Sequence, residues 1–167
     1  MDIVLVLLRL IHIVAAFAWV GVAFTQVFLL APALAAAGES GLRFSKAMNA
    51  RPITRMLFPI VAGLTVLAGI LLYLVGSATS HFSQTGNIVL GIGAVAGLLA
   101  AGHGGAVTGR LAGQLGGLIT QYVTDSGISP EGLPAIRETA AKLGMHTRIS
   151  FVIMVVALVC MGSARYL

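Results

Sequence analysis

Charged side chains are scarce in this chain: only 9% of its 167 residues are Asp, Glu, Lys or Arg, whereas a soluble domain averages about 25%. Hydrophobic residues make up 58% of the chain, and its mean hydropathy is +1.01. This composition excludes a water-soluble globular domain. It predicts an integral membrane protein whose main partner is the lipid bilayer.

Cysteine and acidic residues are also nearly absent. Cys160 is the only cysteine, so the chain cannot form an internal disulfide. The acidic residues all lie outside the long apolar runs, at Asp2, Glu39, Asp125, Glu131 and Glu138. The apolar runs therefore hold no pair of carboxylates for a proton relay. The chain also lacks a phosphate-binding loop and the histidine spacing of metal hydrolases.

Long apolar runs dominate what is present. A helix needs roughly 20 apolar residues to cross the hydrocarbon core, and backbone within lipid must satisfy its own hydrogen bonds, which excludes isolated strands there. The apolar runs lie at about 3–36, 56–76, 88–109 and 149–164, and with the flanking residues they predict helices at about 3–36, 56–76, 87–124 and 134–165. We therefore expect a single all-α domain over residues 1–167, an integral membrane four-helix bundle. Helices three and four should extend beyond the membrane as a cytoplasmic helical hairpin with a turn at Asp125–Gly132.

Basic residues are concentrated in two of the three loops. Loop one contains Arg43, Lys46, Arg51 and Arg55, and loop three contains Arg110, Arg137, Lys142 and Arg148. Residues 77–87 contain no Lys or Arg. The positive-inside rule then predicts that loops one and three are cytoplasmic and that both termini lie outside, as in a bacterial inner (plasma) membrane protein. These loop charges account for the net charge of +5, so we expect no nucleic-acid partner.

His12 is the most informative residue because it lies inside the first apolar run. An ionisable residue in a transmembrane helix is costly, and it usually marks a ligand, a proton relay or a substrate contact. Helical periodicity places His12, Trp19 and Gln26 on one face, with Arg9 one turn further outward. The alternative is that His12 only hydrogen-bonds a neighbouring helix and Trp19 only fills space. In hydrocarbon we favour the functional interpretation.

Small residues recur every four positions in the third helix, as at Gly93 and Gly97. Such stripes allow close packing of helices, either within the chain or in a homo-oligomer. The run Gly102-His103-Gly104-Gly105 suggests instead that a flat cofactor lies against bare backbone. His103 is therefore the second candidate site residue.

The first half of the chain resembles two families of small membrane proteins. The matching features are Leu8-Arg9-Leu10-Ile11-His12-Ile13-Val14 with Trp19, and the basic stretch containing Met48 and Arg51 to Arg55 before Pro59. They resemble the HemJ-type haem-dependent membrane protoporphyrinogen oxidases and the copper-resistance-D-like proteins. The resemblance implies a four-helix bundle in which His12 binds b-type haem or a metal. A haem protein of this kind would serve electron transfer or porphyrin-type oxidation, with a quinone or a porphyrin as partner.

A helical rise of about 1.5 Å per residue puts His12 roughly 13 Å, and His103 roughly 24 Å, below the outer ends of their helices. The two histidines could therefore share one metal only if the helices are staggered. Met161 of the fourth helix lies near the level of His12 and is another candidate ligand. Arg9 and Arg165 lie on the outer side, where we expect them to bind haem propionates.

Two other classes of function stay open. A copper-handling protein needs soft ligands in a cluster, but the six methionines are scattered and the outer loop offers only His81. A non-catalytic small subunit of a larger membrane complex would use the glycine stripe and the helical hairpin for its contacts. His146 lies beside Arg148 at the entrance of the fourth helix, and we interpret it as an interfacial histidine.

Overall fold

The computed structural model describes residues 3–75, 84–124 and 127–167. Four of its helical spans are long and apolar enough to cross a membrane: Ile3–Ala36, Pro52–Val75, Thr85–Tyr122 and Pro130–Tyr166. The all-α prediction is confirmed, and these spans suggest an integral membrane protein. His81 and Asp125 lie outside the described residues, so the predictions for the outer loop at His81 and for the turn at Asp125 stay predictions.

The first span consists of helix α1 (Ile3–Thr25), a π-helical turn (Gln26–Leu30) and helix α2 (Ala31–Ala36). Pro32 has no amide hydrogen, and its ring crowds the carbonyl one turn earlier. The backbone accommodates it by widening: the amide of Ala31 donates to the carbonyl of Gln26, five residues back. The span therefore continues through the proline.

Helix α3 (Glu39–Asn49) follows a sharp turn at Gly38, whose φ of 56° lies in the region that glycine tolerates best. This is the short basic helix predicted in loop one. Helix α4 (Pro52–Val75) begins four residues before its predicted start, and a proline at the first helical position is well suited to that place.

The second half of the chain is also helical apart from one pair of strands. Its elements are α5 (Thr85–His103), a π-helical segment (Gly104–Gly109), α6 (Arg110–Tyr122), β1 (Val123–Thr124), β2 (Gly127–Ile128), a 3₁₀ turn (Pro130–Gly132), α7 (Leu133–Ser163) and a 3₁₀ turn (Ala164–Tyr166). The two-residue strands pair antiparallel and form the turn between helices three and four. The sequence predicts a third helix that reaches residue 124, but the helix ends at Tyr122, because Val123 and Thr124 pair with β2.

The spans pack chiefly as two pairs, with α1 along α4 and α5 along α7. One buried cluster joins all four membrane-spanning candidates and consists of Trp19, Ala23, Val61, Ala100 and Met154. Large apolar side chains remain exposed on the outer faces; Phe17, for example, is 80% exposed. Such outward apolar surfaces suit contact with lipid.

A second core lies beyond the apolar runs and is built by α6, β1 and the start of α7. Ile119, Val123 and Ile136 are buried there, with Leu42 of α3 packed against them. The Lys46 ammonium donates to the Val123 carbonyl at 2.6 Å, which fastens α3 to this unit. The predicted helical extension between helices three and four is therefore present, and its cytoplasmic side stays a prediction.

Candidate functional site

His12 projects from α1 towards α4 and is half-buried. Its Nδ1 lies 2.8 Å from the backbone carbonyl oxygen of Thr65. A carbonyl can only accept, so Nδ1 carries the hydrogen and donates it. In the neutral imidazole, Nε2 is then the nitrogen with the free lone pair.

Gly69 provides the surface on which the His12 ring rests. A Cβ at this position would lie 2.9 Å from Cε1 and 3.1 Å from Nδ1 of His12, closer than a methyl group tolerates. Thr65 and Gly69 are four residues apart and therefore share one face of α4. The Thr65 hydroxyl donates to the Val61 carbonyl at 2.7 Å, so it is satisfied within its own helix. Backbone atoms of Thr65 and Gly69 therefore form the α4 side of the slot for the imidazole.

The second ring nitrogen of His12 is available for a ligand. Within the part of the chain that the structure describes, Nε2 forms no hydrogen bond. Histidines that bind metals usually donate their other ring N–H to a carbonyl or a carboxylate, which fixes the tautomer and the ring orientation. His12 has this arrangement.

Trp19, which shares the face of His12, lies in the core. It is 4% exposed, and its ring meets that of Phe58 edge-on with centroids 6.4 Å apart. Its indole Nε1 is buried and has no hydrogen-bond partner among the described residues. Trp19 therefore joins the helices, and it also keeps an unsatisfied donor in the interior, which is costly.

His103 belongs to a different group of polar side chains, between the third and fourth spans. Its Nδ1 lies 2.8 Å from the hydroxyl of Ser150, and its Nε2 lies 3.2 Å from Nδ1 of His146. The Ser150 hydroxyl, which is buried, also lies 3.3 Å from that of Thr108. A chain of four polar side chains thus links the two spans. His103 is followed directly by the π-helical segment, a feature frequent at functional sites.

The contacts place His12 and His103 in different helix pairs. His12 bonds to α4, whereas both ring nitrogens of His103 are engaged by α7. Met161 lies in the α5–α7 interface, because a Cβ at Gly93 would lie 2.8 Å from its Cγ. The stripe at Gly93 and Gly97 is therefore used within the chain, as the packing interpretation predicts.

The two candidate propionate ligands are both exposed. Arg9 lies one turn before His12 on α1. Arg165 lies in the final 3₁₀ turn, with its guanidinium carbon 5.3 Å from the ring centroid of Tyr166. Arg9 forms no hydrogen bond or ion pair with the described residues.

Several residues of these sites were not predicted. The interpretation of His146 as a merely interfacial histidine is incomplete, because its Nδ1 contacts His103. His146 and Ser150 are four residues apart, as are Thr65 and Gly69, so each pair shares a helix face. That spacing was visible in the sequence, but which face meets which histidine depends on how the helices pack.

Among the described residues, no three side chains of His, Cys, Asp or Glu come close enough together to hold a metal ion. Comparisons with models of protein families, with characterised proteins and with solved structures gave no match. The resemblance to haem-dependent oxidases and copper-resistance-D-like proteins therefore stays a prediction from first-half motifs.

Proposed function

We propose that this chain is an integral membrane protein that binds b-type haem through Nε2 of His12 and serves electron transfer or porphyrin-type oxidation. The observation that carries the proposal is the 2.8 Å hydrogen bond from His12 Nδ1 to the Thr65 carbonyl. The hydrogen bond at one imidazole nitrogen determines which nitrogen can act as ligand. Here it leaves Nε2.

The donor set of this region suits haem better than a bare metal ion. The porphyrin supplies four nitrogens itself, so one histidine is a sufficient protein ligand. A bare zinc ion, in contrast, takes three or four protein ligands, and the described residues bring no three such side chains together. The single oriented imidazole at His12 fits a haem with one protein ligand.

The residues around His12 would hold and tune the group. The hydrogen bond to the Thr65 carbonyl fixes the tautomer of the ring, and the slot at Gly69 sets its orientation. Arg9 would bind a propionate by charge-assisted hydrogen bonds from its exposed position one turn away. Haem, when bound, supplies the redox chemistry, while the chain binds and orients it.

Absorption spectra of detergent-purified protein, oxidised and dithionite-reduced after haem supplementation, test this proposal. We expect a Soret band that shifts on reduction in the wild type. His12→Ala should lose the band, whereas His103→Ala, with its histidine in the other helix pair, should keep it. Loss of the band in His103→Ala but not in His12→Ala would place the haem ligand in the α5–α7 pair and would contradict the proposal.

The variant His12→Gly separates loss of the ligand from loss of the fold. Added imidazole should restore its Soret band, because the small molecule can occupy the slot left by the ring. A colourless wild type after haem supplementation would overturn the haem proposal. Titration with Cu(I) would then test the copper alternative, and co-purification of a partner would test the subunit alternative.

A further inference from the structure

A cavity of about 290 Å³ opens between the start of α6 and the facing part of α7. Its polar lining consists of Arg110, Gln114, Lys142 and His146. No acidic side chain lines it among the residues that the structure describes. Two permanent positive charges, an amide and an imidazole thus face one small space, which is a donor set for an anion.

Lys142 keeps donors for a ligand although it is paired. Its ammonium lies 2.7 Å from the Glu138 carboxylate, one helical turn away on α7. Both side chains are more than half exposed, at 56% and 68%, so this pair is weak. An ammonium has three donors, and the pair with Glu138 uses one of them.

His146 is oriented by the polar chain behind it. Its Nδ1 is held 3.2 Å from His103, which in turn contacts the buried hydroxyl of Ser150. The polar atom left for the cavity is therefore Nε2. A protonated His146 can donate from Nδ1 to His103 and from Nε2 to an anion at the same time.

The position of the cavity along the spans indicates which anions reach it. Arg110 directly follows the third apolar run, and His146 lies just before the fourth, which begins near Ile149. This level is where lipid headgroups meet the protein. Basic pockets between transmembrane helices at this level bind anionic headgroups.

We propose that this cavity binds a phosphate group through Arg110, Lys142 and His146, supplied by an anionic lipid headgroup or by a soluble phosphate compound. The site uses none of the residues around His12. A failure of the haem proposal would therefore leave the phosphate proposal intact, and the reverse also holds.

Delipidated protein in detergent provides the test, with the thermal unfolding midpoint followed during titration. The probes are a short-chain phosphatidylglycerol, the matching phosphatidylcholine and inorganic phosphate. We expect phosphatidylglycerol to raise the midpoint more than phosphatidylcholine does. A similar rise with inorganic phosphate would identify a soluble phosphate as the source, and a rise with phosphatidylglycerol alone would identify the lipid.

The variants Arg110→Gln and Lys142→Gln should each weaken binding roughly tenfold, in line with the loss of one charged hydrogen bond. The control is Arg148→Gln, which removes an exposed charge of α7 outside the cavity lining and should bind like the wild type. Ala106→Leu is a second test, because Ala106 lines the cavity and the larger side chain fills it without changing charge.

Wild-type affinity in Arg110→Gln, Lys142→Gln and Ala106→Leu would overturn the proposal. The absence of a midpoint shift with both phosphatidylglycerol and phosphate would also overturn it. If Arg110→Gln or Lys142→Gln fails to elute as a monodisperse protein, Ala106→Leu decides the outcome. Retained affinity in that variant would also overturn it.

Discussion

At the scale of single residues, the arrangement of His12 shows how a polar ring is accommodated between apolar helices. A buried polar group is costly unless it is hydrogen-bonded. The Thr65 carbonyl satisfies Nδ1, and the absence of a side chain at Gly69 lets the ring approach the α4 backbone. The remaining nitrogen, Nε2, forms no hydrogen bond with the described residues.

Gly69→Ala should displace the His12 ring and lower both haem retention and stability. Overpacking of this kind costs about 1–3 kcal/mol, more than the gain of up to about 1 kcal/mol from replacing glycine in a helix. Gly63→Ala on the same helix is the matched control, because its Cβ would meet nothing within 4 Å. Soret absorbance per protein and the unfolding midpoint measure the two effects. Equal behaviour of the two variants would refute the role of Gly69.

Replacing both Arg9 and Arg165 by Gln should weaken haem retention about tenfold, since each removes charge-assisted hydrogen bonds to a propionate. Haem transfer to an excess of apomyoglobin measures retention. The control is Arg148→Gln, in the middle of α7 and 17 residues before Arg165. Unchanged transfer in the double variant would remove the propionate role from both arginines.

At the scale of helices, the glycines of α5 divide into two groups. Gly93 lies against α7, where a Cβ would be 2.8 Å from Met161 Cγ and 3.2 Å from the Ala157 carbonyl. Gly102 has nothing within 4 Å of its Cβ position. Nine residues of helix put Gly102 on the face opposite to Gly93, so close packing is confined to one face of α5. The π-helical segment begins just beyond His103.

Gly93→Ala should destabilise the α5–α7 pair by about 1–3 kcal/mol, because the Met161 side chain can shift but the Ala157 backbone cannot do so without bending α7. Gly102→Ala should be neutral or slightly stabilising, as expected for alanine in an open helical position. Unfolding in increasing mole fractions of sodium dodecyl sulfate provides the comparison. A Gly93→Ala protein as stable as Gly102→Ala would contradict the close contact.

At the scale of the whole molecule, two helix pairs meet around Trp19, and a smaller core stands beyond the apolar runs. The placement of basic residues predicts that this smaller core is cytoplasmic. The phosphate site would then lie at the inner surface, whereas Arg9 and Arg165 would lie towards the outer surface.

Cysteine labelling tests this topology, because Cys160 is the only native cysteine. In a Cys160→Ala background, Leu167→Cys should react with a membrane-impermeant maleimide added outside sealed right-side-out vesicles. Ser40→Cys, exposed in the first turn of α3, should react only after permeabilisation. The reverse labelling pattern would invert the topology, and labelling of both sites before permeabilisation would show that the C-terminus and loop one are on the same side.

The sequence alone determined the class and the order of the elements. Scarce charge and four apolar runs specify helices that can span a membrane, because length and hydropathy are local properties that need no knowledge of neighbours. Local features also singled out His12, as an ionisable side chain in an apolar run, and His103, as a histidine among glycines. The pairing of β1 with β2 escaped it because such a short pairing has no periodic signal.

Only the tertiary structure decided the partners of those residues. Thr65, Gly69, Ser150 and His146 carry no distinctive motif, and they matter because particular helix faces meet. Helix packing depends on shape complementarity along two whole surfaces, which the pattern of one helix does not specify. For this reason the sequence identified the two histidines, and only the fold assigned their partners. His12 donates to α4 and keeps one nitrogen without a partner among the described residues, whereas His103 joins a chain of polar side chains with α7.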